Sequence, residues 1–286
     1  MTSNLRSRTI SLVGLTIYYS MKVRVGADRA RDLVRRMHAF VAKLPFDDVS
    51  QIFEYDPPDG KYVFERAVAD KWKPGDLYLP RKRDDGQTEH VHVPGLHVIC
   101  FHANIRGSET ASFGLASHPP VVLHREEIIV SHGENAQSHQ IGQGPAIEFN
   151  TRLRGWYSWS NFVKTQYAGN PKFGGVENFL RAHRSVFAAI DECKRLGLTT
   201  RIRDDANYWR HRNDEKLVAE LKRWDELIAG FAGKLTDAFE EAGHSFVAPI
   251  KDRPDFEHLE ARGADMMKKA GKGKKRKGRG KGPAAE

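Results

Sequence analysis

Two short segments gather side chains capable of chemistry. KTQYAG holds Lys164, Gln166 and Tyr167, and DDANYW holds Asp204, Asp205, Tyr208 and Trp209. A lysine offers charge to an anion, an aspartate can act as general acid or base, and aromatic rings can wall a planar ligand. The plainer reading competes with this one. Acidic residues ahead of a helix commonly cap it or form a turn, and adjacent aspartates rarely both act in catalysis. Gly174 and Gly175 follow the first segment and precede a helical pattern. A nucleoside-triphosphate loop would put Gly-Lys-Ser/Thr at the helix start, and no lysine follows these glycines. What survives is an anion at the free N–H groups near Val176, within reach of Lys164 or Lys172, or simply a glycine turn.

Histidines are unevenly spread, with eight of thirteen between His90 and His139. The pair His90-x-His92 falls on one face of a strand, as metal ligands would need. Val93-Pro94-Gly95-Leu96 follows where a metal-binding pattern of that kind would require further ligands, and His97 and His102 point to opposite faces of LHVICFHA. Solvated strand-face histidines explain the cluster without a metal. His183 lies on an apolar helical stripe and reads as a satisfied buried histidine. No metal and no cofactor is expected.

The elements that must position these residues are legible as periodicity. Leu15 to Tyr19, LTIYY, is β-branched and aromatic and predicts a strand. Ala30, Leu33, Val34, Met37, Val41 and Leu44 form a helical stripe between Asp28 and Pro45. Residues 52–55 and 62–65 predict short strands around a Pro-Pro-Asp-Gly turn, and Leu96 to Ala103 is apolar enough for a central strand. Residues 131–144, SHGENAQSHQIGQG, carry no periodicity and predict an exposed loop. Val176 to Leu196 is a helix stopped by Gly197, Leu198 to Arg203 a strand, and Asp214 to Phe239 a long helix with Leu217, Leu221, Trp224, Ile228, Phe231 and Leu235 on one face.

This order predicts an α+β fold: a mixed β-sheet with about three helices packed on one face, in a single domain over 1–245. A linker and short helix follow over 246–267, then a disordered Lys/Arg/Gly-rich tail over 268–286. If the helix from Val176 packs beside the strand ending at Arg203, loops 164–175 and 204–213 share one edge. If the first strand also lies parallel to that strand, Tyr19 joins the same edge. The expected ligand-binding set there is Tyr19, Lys164, Gln166, Tyr167, Asp204, Asp205, Tyr208 and Trp209.

The segments TIYYS at 16–20, VKTQYAG at 163–169 with GGVENFLRAHRSV at 174–186, and DDANYW at 204–209 followed by RND at 212–214 resemble a family of bacterial proteins. That family has no established activity, so the resemblance carries over no catalytic residue. It covers the start of the chain and roughly residues 156–240, and it implies a bacterial, cytoplasmic protein.

Charge separates a body from a tail. Of 46 Lys and Arg and 37 Asp and Glu, nine basic and one acidic residue lie in 268–286, a net of +8 there against +1 for 1–267. Lys272, Lys274, Lys275, Arg276, Lys277, Arg279 and Lys281 can neutralise phosphates without reading sequence. Cys100 and Cys193 form no disulfide framework or zinc spacing, so a reducing cytoplasm is the expected setting. The N-terminal run ISLVGLTIYY reads as a strand rather than a signal segment, and no run approaches the roughly 18 apolar residues a membrane span needs. Two functions follow as expectations: a non-enzymatic binding or adaptor protein, with a protein partner and a nucleic-acid-touching tail, or an enzyme acting on a small anionic or nucleotide-like substrate at the shared edge.

Overall fold

The computed structural model describes residues 15–56, 75–130, 139–241 and 248–277. The strand expected over 62–65 lies outside them. The fold is α+β. Its main sheet combines β1 (Thr16–Val23), β2 (Asp48–Val49), β3 (Phe53–Tyr55), β6 (His97–Asn104), β7 (Ala111–Ser117), β10 (Tyr157–Lys164) and β11 (Thr199–Asp204). The order is β11-β1-β10-β7-β6-β2, with β3 also on β6. Two separate hairpins, β4 (Leu77–Lys82) with β5 (Thr88–Val93) and β8 (Val121–Val130) with β9 (His139–Asn150), complete the strands.

Adjacent strands in the main sheet run antiparallel. The parallel placement expected for the first strand against β11 does not occur: Ile17 pairs with Asp204 and Lys22 with Thr199. The start of β1, not its end, therefore lies beside the ends of β10 and β11. The expected loop over 131–144 is also shorter than its composition implies. Residues 139–144 belong to β9, where Gln140 pairs with Ile129 and Gly142 with Ile128, while 131–138 lie outside the described residues. Backbone pairing across the hairpin holds this strand, and backbone pairing leaves no apolar periodicity to read.

Helices α1 (Ala27–Val41) and α2 (Gly175–Arg195) cover one face of the sheet. The stripe Ala30, Leu33, Val34, Met37 and Val41 is buried as its spacing predicts. It meets Phe179, Val186, Phe187, Ile190 and Cys193 of α2, and Tyr19, Met21, Phe101, Phe113 and Trp159 of the strands. Burial of these large side chains, at about 1.5–3 kcal/mol each, is the main stabilising contribution. Gly197 ends α2 at φ 90°. Its N–H reaches Lys194 O and the Leu198 N–H reaches Cys193 O, which satisfies carbonyls left open by the last turn.

Helix α3 (Tyr208–His211) is a single turn, and α4 (Asp214–Glu241) buries Leu217 and Leu221 against the core. Beyond Asp225 the buried side of α4 passes to Ala229 and Ala232, and Phe231 is left exposed. The cause is α5 (Phe256–Lys277), which crosses α4 at backbone distance. A Cβ on Gly230 would lie 2.6 Å from Gly263 C, and one on Gly263 would lie 1.9 Å from Glu226 O. Helix α5 extends ten residues past Met267, where the sequence pattern ends its helix; Ala, Lys and Arg are strong helix formers that outweigh Gly271 and Gly273. Residues 278–286 lie outside the described residues.

Candidate functional site

The loops over 164–175 and 204–213 do meet, and they meet around His183. The Thr165 hydroxyl lies 2.9 Å from His183 Nδ1, and His183 Nε2 lies 3.7 Å from Asp204 Oδ1. The Tyr208 ring stands edge-on to the imidazole at 5.3 Å. His183 is 0% exposed, and burial pushes its pKa down. Burial opposes ionisation of Asp204. The His183 imidazole, with the amide hydrogens of Trp209 and Ala206, outweighs it and holds the carboxyl below the usual range. Those amides donate to Asp204 Oδ2 at 2.9 Å and Oδ1 at 3.0 Å. Asp204 thus closes the turn into α3, the capping role. Asp205 is half-buried and its carboxyl is pushed up, chiefly by burial.

Gln166 is equally enclosed. Its Oε1 accepts from Leu15 N at 3.1 Å and its Nε2 donates to Asp225 Oδ1 at 3.2 Å. Asp225 Oδ2 in turn accepts from Arg253 at 2.8 Å, and Arg253 makes two further bonds to Asp255. This chain of bonds ties the start of β1, the end of β10, α4 and the segment before α5. Tyr167 lines a small cavity of about 80 Å³ beside it, with Asn170, Lys172 and Ile250.

The remaining expected residues do not converge. Tyr19 is buried in the core, with its hydroxyl donating to Ser112 O at 2.7 Å and its phenol pKa pushed up by burial. The antiparallel register places it opposite Ile202, away from the shared edge. Lys164 Nζ turns to Glu109, 3.5 Å away. Tyr208 is buried and Trp209 stacks on Phe187 at 5.6 Å, with Lys194 Nζ 3.7 Å and Arg212 Cζ 4.4 Å from the indole centroid. At the start of α2, Gly174 and Gly175 adopt φ 108° and 62°, a conformation that turns the chain. Lys172 Nζ lies over the Phe173 ring. Of the basic tail set, Lys272, Lys274, Lys275, Arg276 and Lys277 fall on the last turns of α5, and Arg279 and Lys281 lie outside the described residues.

The histidines pair with carboxylates and backbone. His92 Nε2 lies 2.6 Å from Asp76 Oδ2, and His97 bridges Tyr157 and Glu54. Among the described residues no three His, Cys, Asp or Glu side chains are grouped to hold a metal ion.

A different surface collects exposed aromatics and cations: the side of β10-β1-β11 away from α1 and α2. Alternation along β1 sends Tyr19 and Met21 into the core and Tyr18, Ser20 and Lys22 outward. The register makes two rows, Phe162–Tyr18–Arg203 and Ser160–Ser20–Arg201. Arg203 Cζ sits 3.8 Å from the Tyr18 ring centroid, and Tyr18 and Phe162 are 6.0 Å apart. With Asp76, Leu77 and Tyr78 as one wall, these rows line a cavity of about 380 Å³. The sequence held a signal for it: TTRIRD and TIYYS alternate with period two, so two arginines must share a face with one tyrosine.

No family model, curated protein or solved structure matches this chain, so the reading below rests on its own geometry and sequence.

Proposed function

We propose that this protein is a non-enzymatic binding protein of the bacterial cytoplasm, whose basic C-terminal segment contacts nucleic acid without sequence preference. The observation that carries the reading is the partition of charge, +8 in residues 268–286 and +1 in the rest. Lysines and arginines in such a segment displace counterions from a phosphate backbone, and affinity then falls steeply with salt. The course of α5 supports it. Seven basic residues, Lys268 to Lys277, lie on a helix whose base is packed against α4, and no acidic residue interrupts them.

The enclosed edge favours binding over catalysis. Of the two aspartates expected as alternative acid or base, Asp204 is engaged in a turn and Asp205 is half-buried beside Thr16, and Lys164 and Gln166 have partners within the fold. No helix among the described residues is long and apolar enough to cross a membrane.

Truncation after Met267 tests the reading. Binding of mixed-sequence DNA and RNA is measured across a salt series for both chains. The full chain should show a log–log salt slope of magnitude about 5 for six neutralised phosphates, and the truncated chain should lose most of it. Equal affinity and slope in the two chains would overturn the tail reading.

A further inference from the structure

We infer that the outer face of β10-β1-β11 is a seat for unpaired bases of single-stranded nucleic acid, separate from the tail. It builds on the nucleic-acid reading but not on the basic segment.

Three observations carry it. First, the face exposes aromatic rings at strand positions where polar residues are usual. Phe162 and Tyr78 are each 46% exposed and line the same cavity. Rings so placed offer a base its π-face, whichever base it is. Second, two cations stand beside the rings. Arg201 is exposed and makes no ion pair among the described residues, and Arg203 Cζ sits 3.8 Å from the Tyr18 ring centroid, with only the half-buried Asp205 carboxyl near enough to feel its charge. A guanidinium held on a ring keeps its N–H edge outward, where it can donate to a phosphate. Lys22, 4.6 Å from the Trp156 ring centroid, continues the positive row along β1. Third, the one carboxylate lining the cavity is already engaged. Asp76 Oδ2 meets His92 and Oδ1 accepts from Gly95 N at 3.2 Å, so the face is cationic overall.

Size and charge name the occupant. A cavity of about 380 Å³ lies in the range that holds a small ligand and suits one nucleotide. Paired bases are stacked within their helix and cannot lay a face on Phe162, whereas splayed single-stranded bases can. The adjoining arginines, at every second residue of β11, would follow the backbone between successive nucleotides.

The test uses the full chain and a labelled mixed-sequence RNA octamer at about 0.5 M salt, where the tail's exposed charges are largely screened. Octamer binding should persist there, exceed that of a duplex of the same length, and exceed that of an abasic octamer. Phe162→Ser and the double variant Arg201→Ala, Arg203→Ala should each lose it about tenfold, the scale of one stacked base. Phe162→Tyr should retain it, and so should replacement of Lys274, Lys275, Arg276 and Lys277 by alanine. The three positions altered on the face are exposed, and unchanged far-ultraviolet dichroism and melting midpoint confirm folding of every variant. Equal binding of the abasic octamer or of the duplex would overturn the base seat while leaving the tail reading intact. Loss of all binding on tail neutralisation would overturn it too, as would absence of octamer binding by every form at this salt, an outcome that leaves the tail reading to its own salt series.

Discussion

The same three strands, β1, β10 and β11, build two unlike polar regions. At their joined ends Thr165, His183, Asp204, Gln166 and Asp225 form an enclosed seam in which the groups answer one another: hydroxyl to imidazole, amide to carboxylate, carboxylate to Arg253. On their outer face Phe162, Arg201 and Arg203 stand exposed around the half-buried Tyr18, whose ring lies 6.0 Å from that of Phe162 and 3.8 Å from Arg203 Cζ. Both regions hold the residue types that serve ligands. The difference teaches that partnership, more than residue type, separates a structural polar cluster from a polar face left open to solvent. A buried polar group must be satisfied inside the fold, while an exposed cation without a carboxylate remains available.

That contrast can be broken by substitution. The largest effect is expected from Asp225→Ala, which leaves the buried Gln166 amide without its acceptor and takes one of two carboxylates from Arg253, Asp255 keeping the other. Urea unfolding should show a loss of about 2–3 kcal/mol, and a loss under about 1 kcal/mol would mean that the seam is not a stabilising network. Next comes pH. Burial depresses the folded-state pKa of His183, and that of His102 to about 4. Such histidines contribute fully above their unfolded pKa near 6.5, and the contribution falls as pH drops toward the folded value, because only the unfolded chain takes up the proton. Stability should therefore decline between pH 7 and pH 5, and His183→Phe should decline less steeply from its own pH 7 value. An identical slope in the variant would remove His183 from this account. The smallest effect belongs to the outer face: Arg201→Ala should change stability by no more than about 0.5 kcal/mol. A larger loss would show that the face serves the fold.

Much of the layout was legible in sequence. The stripe from Ala30 to Val41 and that from Phe179 to Cys193 are buried as spaced, and Gly197 stops its helix. The meeting of the two loops was legible as well, because α2 and β11 are consecutive and short connections force neighbours. The direction of β1 was not. Its partner β10 lies some 140 residues away, with Thr16 against Lys164, and nothing in LTIYY states which way a distant strand will run. Tyr19 was misplaced for that reason. The far half of α4 misled differently: Phe231 and Leu235 continue the apolar spacing, but Gly230, Gly233 and Gly263 admit α5 so closely that the small residues take the buried side. A glycine inside a helix reads as a weakness until its neighbour is known. The outer face becomes legible only when the alternation that marks Tyr19 and Met21 as core is followed to the residues it sends outward, Tyr18, Ser20 and Lys22.

The glycine crossing of α4 and α5 also sets the course of everything that follows it. Helix α5 continues fourteen residues from Gly263 to Lys277, about 21 Å at 1.5 Å per residue. A lever of that length turns a small change at its pivot into a large one at its end: replacing Gly263 by a bulky residue, whose Cβ would meet Glu226 O, would push α5 off α4 and redirect the whole of the helix beyond.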